Sequence, residues 1–152
     1  MDNNMLLTFK NTFNYSDTGD NDTIEFLTKA DYTEKNDKQY IRFTYPEAYT
    51  LGKPIKATLK VEKDKVTLLK YGKECSQYIF EQGKQHMGHY ETEFGTMSVG
   101  IFSDRVSVKL DENGGDINLG YRIYFNDVAT HQTNLSINLK KQKGDNWHEK
   151  LY

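Results

Sequence analysis

The residues able to do chemistry are few. His86-Met87-Gly88-His89 holds the closest pair of histidines in the chain. Side chains three apart share one face of a helix and could grip a metal ion there. On a strand the same spacing sends them to opposite faces. Gly88 and the alternation around it predict a strand, so no metal site and no cofactor are expected. Cys75 is the only cysteine, which excludes an internal disulfide. With no histidine beside it, it reads as a small strand-end residue rather than a nucleophile. Glu91 and Glu93 share one face at period two and could work as paired carboxylates. A solvated acidic edge is the simpler reading. Gly114-Gly115 could form a phosphate-binding nest, but such loops lead into a helix N-terminus, and this one leads into a strand. No catalytic residue emerges, and an enzyme is the least expected class.

The elements that must carry these residues are strands. Over 116–140, Ile117, Leu119, Tyr121, Ile123 and Phe125 alternate with polar partners, and Leu135, Ile137 and Leu139 do the same after a short polar turn. Period two puts one apolar and one wet face on each strand. Similar alternation predicts strands over 5–15, 23–33, 39–45, 54–63, 66–71 and 76–82. Gln85 onward groups His86, Tyr90 and Phe94. Gly95 shifts the phase to Met97, Val99 and Ile101, and a second shift near Ser103-Asp104 leads to Val106, Val108 and Leu110. The stretches SDTGDND (16–22), 34–38, Lys63-Asp64-Lys65 and DENGG (111–115) are turns, rich in residues that bond their own backbone or accept a positive φ. Pro46 closes one strand because it lacks the ladder N–H. No stretch carries an apolar stripe at helical spacing.

Eight to ten antiparallel strands in hairpin order, with glycines inside them, favour a closed or nearly closed barrel, since closure is what removes sheet edges. The chain is read as one domain over 1–152, with a core at about 5–140 and a polar tail at 142–152. Leu, Ile, Val and Phe make up little more than the ~20% below which chains stay disordered. A net charge of -2 and 11 tyrosines argue for a fold with a thin core instead. Acidic and basic residues are interleaved, and only Arg42, Arg105 and Arg122 are arginines, so no nucleic-acid surface is expected. No run approaches the ~20 apolar residues of a membrane span. MDNNMLLTFK lacks the basic and apolar regions of a signal peptide, so the expected location is the cytoplasm.

Three segments, IEFLTKADY (24–32), LGK (51–53) and YETEFGTMSV (90–99), carry a resemblance to the YwiB-like bacterial family, which extends by segment order over roughly 5–140. The resemblance implies a calycin-type, lipocalin-like barrel, in a family without an established molecular function. It supplies no functional residue. The Gly-x-Trp of secreted lipocalins is absent, because Trp147 is the only tryptophan, and 16–22 is too short for the helical lid of fatty-acid-binding relatives. Arg122-Ile123-Tyr124 matches in letters the Arg-x-Tyr with which those relatives hold a carboxylate. Its alternation puts both residues on the outer face.

Asn11, Thr28, Tyr32, Tyr121 and His131 fall where core residues belong. A buried polar group without a partner costs about 1–3 kcal/mol, so such groups require each other, water or a ligand. The leading expectation is a non-enzymatic binding module holding a small or amphipathic molecule inside the barrel, contacted by Tyr32, Tyr90, Tyr121 and His131. The alternative is a protein-interaction or structural module, such as a homodimer, using Leu27, Tyr40, Tyr124 and Tyr152.

Overall fold

The computed structural model describes residues 5–15, 18–50, 52–72, 75–92, 94–125 and 128–142. They form ten strands: β1 (Met5–Asn14), β2 (Asn21–Lys35), β3 (Lys38–Thr44), β4 (Lys56–Glu62), β5 (Lys65–Tyr71), β6 (Ser76–Glu81), β7 (Lys84–Thr92), β8 (Gly95–Asp111), β9 (Gly114–Phe125) and β10 (Val128–Lys141). Each strand pairs antiparallel with its neighbours in sequence, and β1 pairs with β10, so the sheet closes into a barrel. The expected all-β closed barrel is the observed fold, at the upper end of the expected strand count.

The two ends of the barrel differ. At one end the reversals are tight and use left-handed backbone: Asn36 and Asp37 (φ 54° and 63°), Asp64 (64°) and Gly83 (76°). Positive φ at both central residues is the twist that suits a two-residue hairpin. At the other end three of the five connections are longer, at 15–20, 45–55 and 72–75. There the β3–β4 connection carries a one-turn 3-10 helix (Glu47–Tyr49) and runs across the barrel mouth. We call these the hairpin end and the loop end.

The second phase shift in the sequence is a β-bulge between Ser103 and Arg105, which lets one 17-residue strand stay paired with β9 while it bends. The first is a chain reversal. Phe94, expected on the inner phase with His86 and Tyr90, instead occupies the turn before β8 and is 97% exposed. Gly95 (φ 120°) starts a new strand there. Met97, expected inside with Val99 and Ile101, is also exposed, while those two are buried. The tail from 143 onward lies outside the described residues.

The core fills the hairpin half. Leu7, Leu59, Val66, Ile117, Ile137 and Leu139 are all essentially inaccessible. Burying one such side chain contributes about 1.5–3 kcal/mol. Toward the loop end the inner row changes chemistry on five strands: Phe9 gives way to Asn11, Phe43 to Tyr45, Leu68 to Lys70, Leu119 to Tyr121 and Leu135 to Thr133. A polar belt therefore interrupts the inner row, while on β8 Val99 and Ile101 remain buried on its loop-end side.

Candidate functional site

Above this belt, under the β3–β4 connection, lies a cavity of about 180 Å³. Lys70 and Asn11 supply its polar side, and Phe9, Phe13, Ile24 and Ile55 its apolar wall. Tyr45, Tyr49 and Thr50 close it from the connection. The wall is an aromatic cluster. Phe9 stacks on Phe26 with ring centres 4.6 Å apart, and Tyr45 lies 5.5 Å from Phe9 and 5.4 Å from Phe26. The roof is tied down by hydrogen bonds. The Tyr45 N–H donates to the Ile55 carbonyl at 2.9 Å, closing the base of the connection. The Tyr49 hydroxyl donates to the Glu25 carbonyl at 2.8 Å. β2 pairs with β3 only from Ala30 onward, so Tyr49 covers a stretch of β2 that has lost its strand neighbour.

Lys70 dominates the electrostatics. Its position follows from β5 alternation, in which Val66, Leu68 and Lys70 share the inner phase. Its ammonium lies 5.2 Å from the Tyr45 ring centre and 5.8 Å from that of Tyr78. Among the described residues no carboxylate forms an ion pair with it. Burial pushes its pKa below the usual lysine value, because desolvation disfavours the charged form. The nearby phenols cannot neutralise it. Burial, with the mutual proximity of Tyr45, Tyr78 and Tyr121, pushes the Tyr45 and Tyr121 phenols above the ordinary tyrosine range. They stay uncharged at neutral pH.

Several polar atoms here have no protein partner. Asn11 Oδ1 and the Tyr45 hydroxyl, both on the cavity, are buried and unpaired, as are Ser103 Oγ and Thr133 Oγ1. Ser103 and Thr133 are the register partners of Tyr121 on its two sides. The Asn11 side chain bonds the Tyr121 phenol. Native interiors leave few such groups unpaired. Four of them lie in this one belt.

Of the four sequence-predicted ligand contacts, the three whose side chains are described lie apart. Tyr121 stands in the belt, 8% exposed, its ring 4.7 Å from Phe80. Tyr32 is at the opposite, hairpin end. Its hydroxyl donates to Glu34 at 2.5 Å and accepts from Gln39 at 2.9 Å, and Gln39 reaches the Leu110 carbonyl at 2.7 Å. This is a local seal, with the Tyr32 pKa raised to about 12 by burial first and then by the Glu34 bond. His131 lies beside a bulge in β10, with its ring 5.5 Å from Phe13 and 5.3 Å from Tyr15. It faces an outer groove with Arg122 and Gln132. Tyr90 is on β7, and its side chain lies outside the described residues. Lys70 and Tyr45 line the cavity but are absent from the expected ligand contacts. Their signal was a lysine and a tyrosine continuing the inner phase of Val66-Leu68 and Ile41-Phe43.

Larger hollows exist: one of about 410 Å³ is lined by Lys29, Arg42 and Asp31, whose buried Oδ1 has no protein partner. A groove of about 580 Å³ at the hairpin end is lined by Asp37, Glu62 and Lys65. There Glu62 already meets Lys38, Lys60 and Lys65 at 3.7–3.9 Å. His86 and His89 do sit apart: His86 pairs with Glu81 at 2.9 Å, while His89 meets Ser98 at 3.3 Å. Among the described residues no group of three or more His, Cys, Asp or Glu could hold a metal ion, and no helix is long and apolar enough to cross a membrane.

The comparisons with known proteins agree with the resemblance read from the three segments. A crystal structure of the ywiB protein from Bacillus subtilis superposes with a TM-score of 0.78 over 92% of this chain and 93% of that one. At 22% identity this likeness bears on the fold. The uncharacterized β-barrel protein YwiB of Bacillus subtilis (strain 168) is 29% identical over 121 residues, 80% of this chain and 83% of its own length. Residues 8–137 match the model of DUF1934, a domain of unknown function, and the chain belongs to that family.

Proposed function

We propose that this barrel is a non-enzymatic binding module that holds one small molecule in the loop-end cavity. The observation that carries the reading is a half-open hollow of about 180 Å³ lined by two residues, Asn11 and Tyr45, that each carry a buried, unpaired polar atom. That volume holds about six water molecules at ~30 Å³ each. It is smaller than the ~300–1,000 Å³ of drug-sized sites, so the occupant is correspondingly small. An enzymatic reading lacks a convergent acid, base and nucleophile, because the cavity brings together one lysine, an amide and phenols. Ligand binding inside calycin-type barrels is a parallel at the level of architecture. The test is an NMR titration of the isotope-labelled chain with a panel of neutral and charged monocyclic aromatics. Binding should move resonances of Phe13, Ile24 and Ile55 and leave those at the hairpin end in place. A panel that moves none of them rules the reading out.

A second reading, self-association, is favoured by Phe94, Val128 and Leu27, which are 97%, 66% and 61% exposed. Light scattering that gives a strict monomer across concentration excludes it.

A further inference from the structure

The binding reading leaves open what the cavity recognises, and the charge inside the barrel answers that. The geometry points to a carboxylate monoanion with a compact apolar body, its carboxylate set against Lys70 and the Tyr45 hydroxyl. The inference rests on the binding reading and narrows its ligand class.

Three observations carry it. First, Lys70 lies half-buried on the inner face, and among the described residues no carboxylate forms an ion pair with it. Its nearest companions are the faces of Tyr45 and Tyr78. Ring faces attract a cation, but only by about 0.5–2 kcal/mol. A buried charge normally has a full counter-charge. Second, Tyr45 lines the same cavity as Lys70, and its hydroxyl is buried with no protein partner. It offers a second hydrogen to an anion. Third, the rest of the lining is Phe9, Phe13, Ile24 and Ile55, which suits a hydrocarbon or aromatic body.

The charge count selects among anions. One ammonium balances one negative charge. A phosphate dianion would keep an uncompensated charge in a site with no second cation, since Asn11 and the phenols are neutral. A carboxylate leaves none, and its two oxygens match the two donors, Lys70 Nζ and Tyr45 OH. An ammonium ligand would meet a like charge at close range.

The experiment uses three near-isosteric probes, benzoate, benzamide and benzylamine, titrated into the full chain at neutral pH and followed by NMR. Benzoate should bind at least about tenfold more tightly than benzamide, as a charge-assisted bond does relative to a neutral one. Benzylamine should not bind. Lys70→Met should remove the preference for benzoate while benzamide binding stays. Should that variant fail to fold, Tyr45→Phe gives an independent reading, with benzoate weakened about threefold or more and benzamide unchanged. Benzamide binding as tightly as benzoate in the natural chain, or a preference that survives Lys70→Met, overturns the carboxylate assignment and leaves the binding reading standing. Silence from all three probes, together with the wider aromatic panel, removes both.

Discussion

The Lys70 ammonium stands over the face of the Tyr45 ring at 5.2 Å, and the Tyr45 hydroxyl itself has no partner. The two side chains satisfy each other only in part. The ring supplies quadrupole attraction, about 0.5–1 kcal/mol or somewhat more when desolvated. Taking an ammonium out of water costs several kcal/mol. Without a counter-charge the cost exceeds that attraction.

Lys70→Met should therefore stabilise the unliganded protein. Methionine keeps most of the side-chain volume and removes the charge. The expected gain is about 1 kcal/mol, seen as a rise of roughly 2–4 °C in the melting midpoint for a domain of this size. The pH dependence follows from linkage. The folded lysine has a lowered pKa, so the unfolded chain binds more protons from that lowered value up to about 10.5. Stability from this group rises with pH across that window, and the penalty is fully present below it. The variant should lose this slope in thermal melts recorded from neutral to alkaline pH. A variant that melts lower than the natural chain, with the slope intact, contradicts the assignment of Lys70 as an unpaired buried cation.

The buried phenols act in the opposite direction. Tyr45 and Tyr121 have raised pKa values, so their folded forms hold protons that the unfolded chain releases near pH 10. Their contribution is fully present below pH 10 and is lost as pH rises beyond it. Tyr32 behaves alike between 10 and about 12. Ultraviolet titration of the 11 tyrosines should show an ordinary group ionising near 10 and a late group that appears only with unfolding. Tyr121→Phe should shrink the late amplitude. One uniform titration of all the tyrosines would contradict the buried placement.

The β8–β9 hairpin should be intolerant of side chains at its glycines. At Gly115 (φ 145°) a Cβ would overlap the Lys109 carbonyl oxygen, and at Gly114 (φ 121°) that of Leu139. Both obstacles are backbone and both glycines have a φ that other residues avoid. Gly115→Ala should cost about 3 kcal/mol or more by denaturant melting. Gly88 has an ordinary φ, and its nearest obstacle is the Ile101 Cδ1 at 2.8 Å, the end of a flexible side chain. Gly88→Ala should cost visibly less, about 1–2 kcal/mol. Equal costs at the two sites would contradict the strand register of the β8–β9 hairpin.

These contrasts show what alternation conveys and what it omits. Period two assigns a face to each residue. It placed Asn11 and Tyr121 on the inner face, where the structure has them, and the phase slip at Ser103-Asp104 was a visible bulge. It does not give the height of a residue along the barrel axis. Tyr32 and Tyr121 share the inner phase, yet lie toward opposite ends, because height depends on register and stagger around a closed sheet. Lys70 was harder to see. A lysine one residue before a strand end normally keeps its head in water by reaching past the edge. Alternation with Val66 and Leu68 gives its inner face, but only closure of the barrel keeps its head from reaching past the strand edge.

That connection provides the last prediction. Among the described residues the Tyr49 hydroxyl makes the connection's one side-chain hydrogen bond to β2, at Glu25, and Tyr49 is itself 48% exposed. Tyr49→Phe keeps the ring against Phe26 (5.5 Å between centres) and deletes only the bond. Global stability should fall by no more than about 0.5–1 kcal/mol. Local opening should respond more selectively. The amides of Thr50, Gly52 and Lys53, which bond within the connection, should exchange with solvent roughly two- to fivefold faster. Amides of the paired β4–β5 core around Leu59 and Val66 should exchange as before. Benzoate should also leave the cavity faster, if the connection is the door. Acceleration at every amide would mean that the bond supports the whole barrel, and no acceleration in the connection would mean that Tyr49 does not hold it shut.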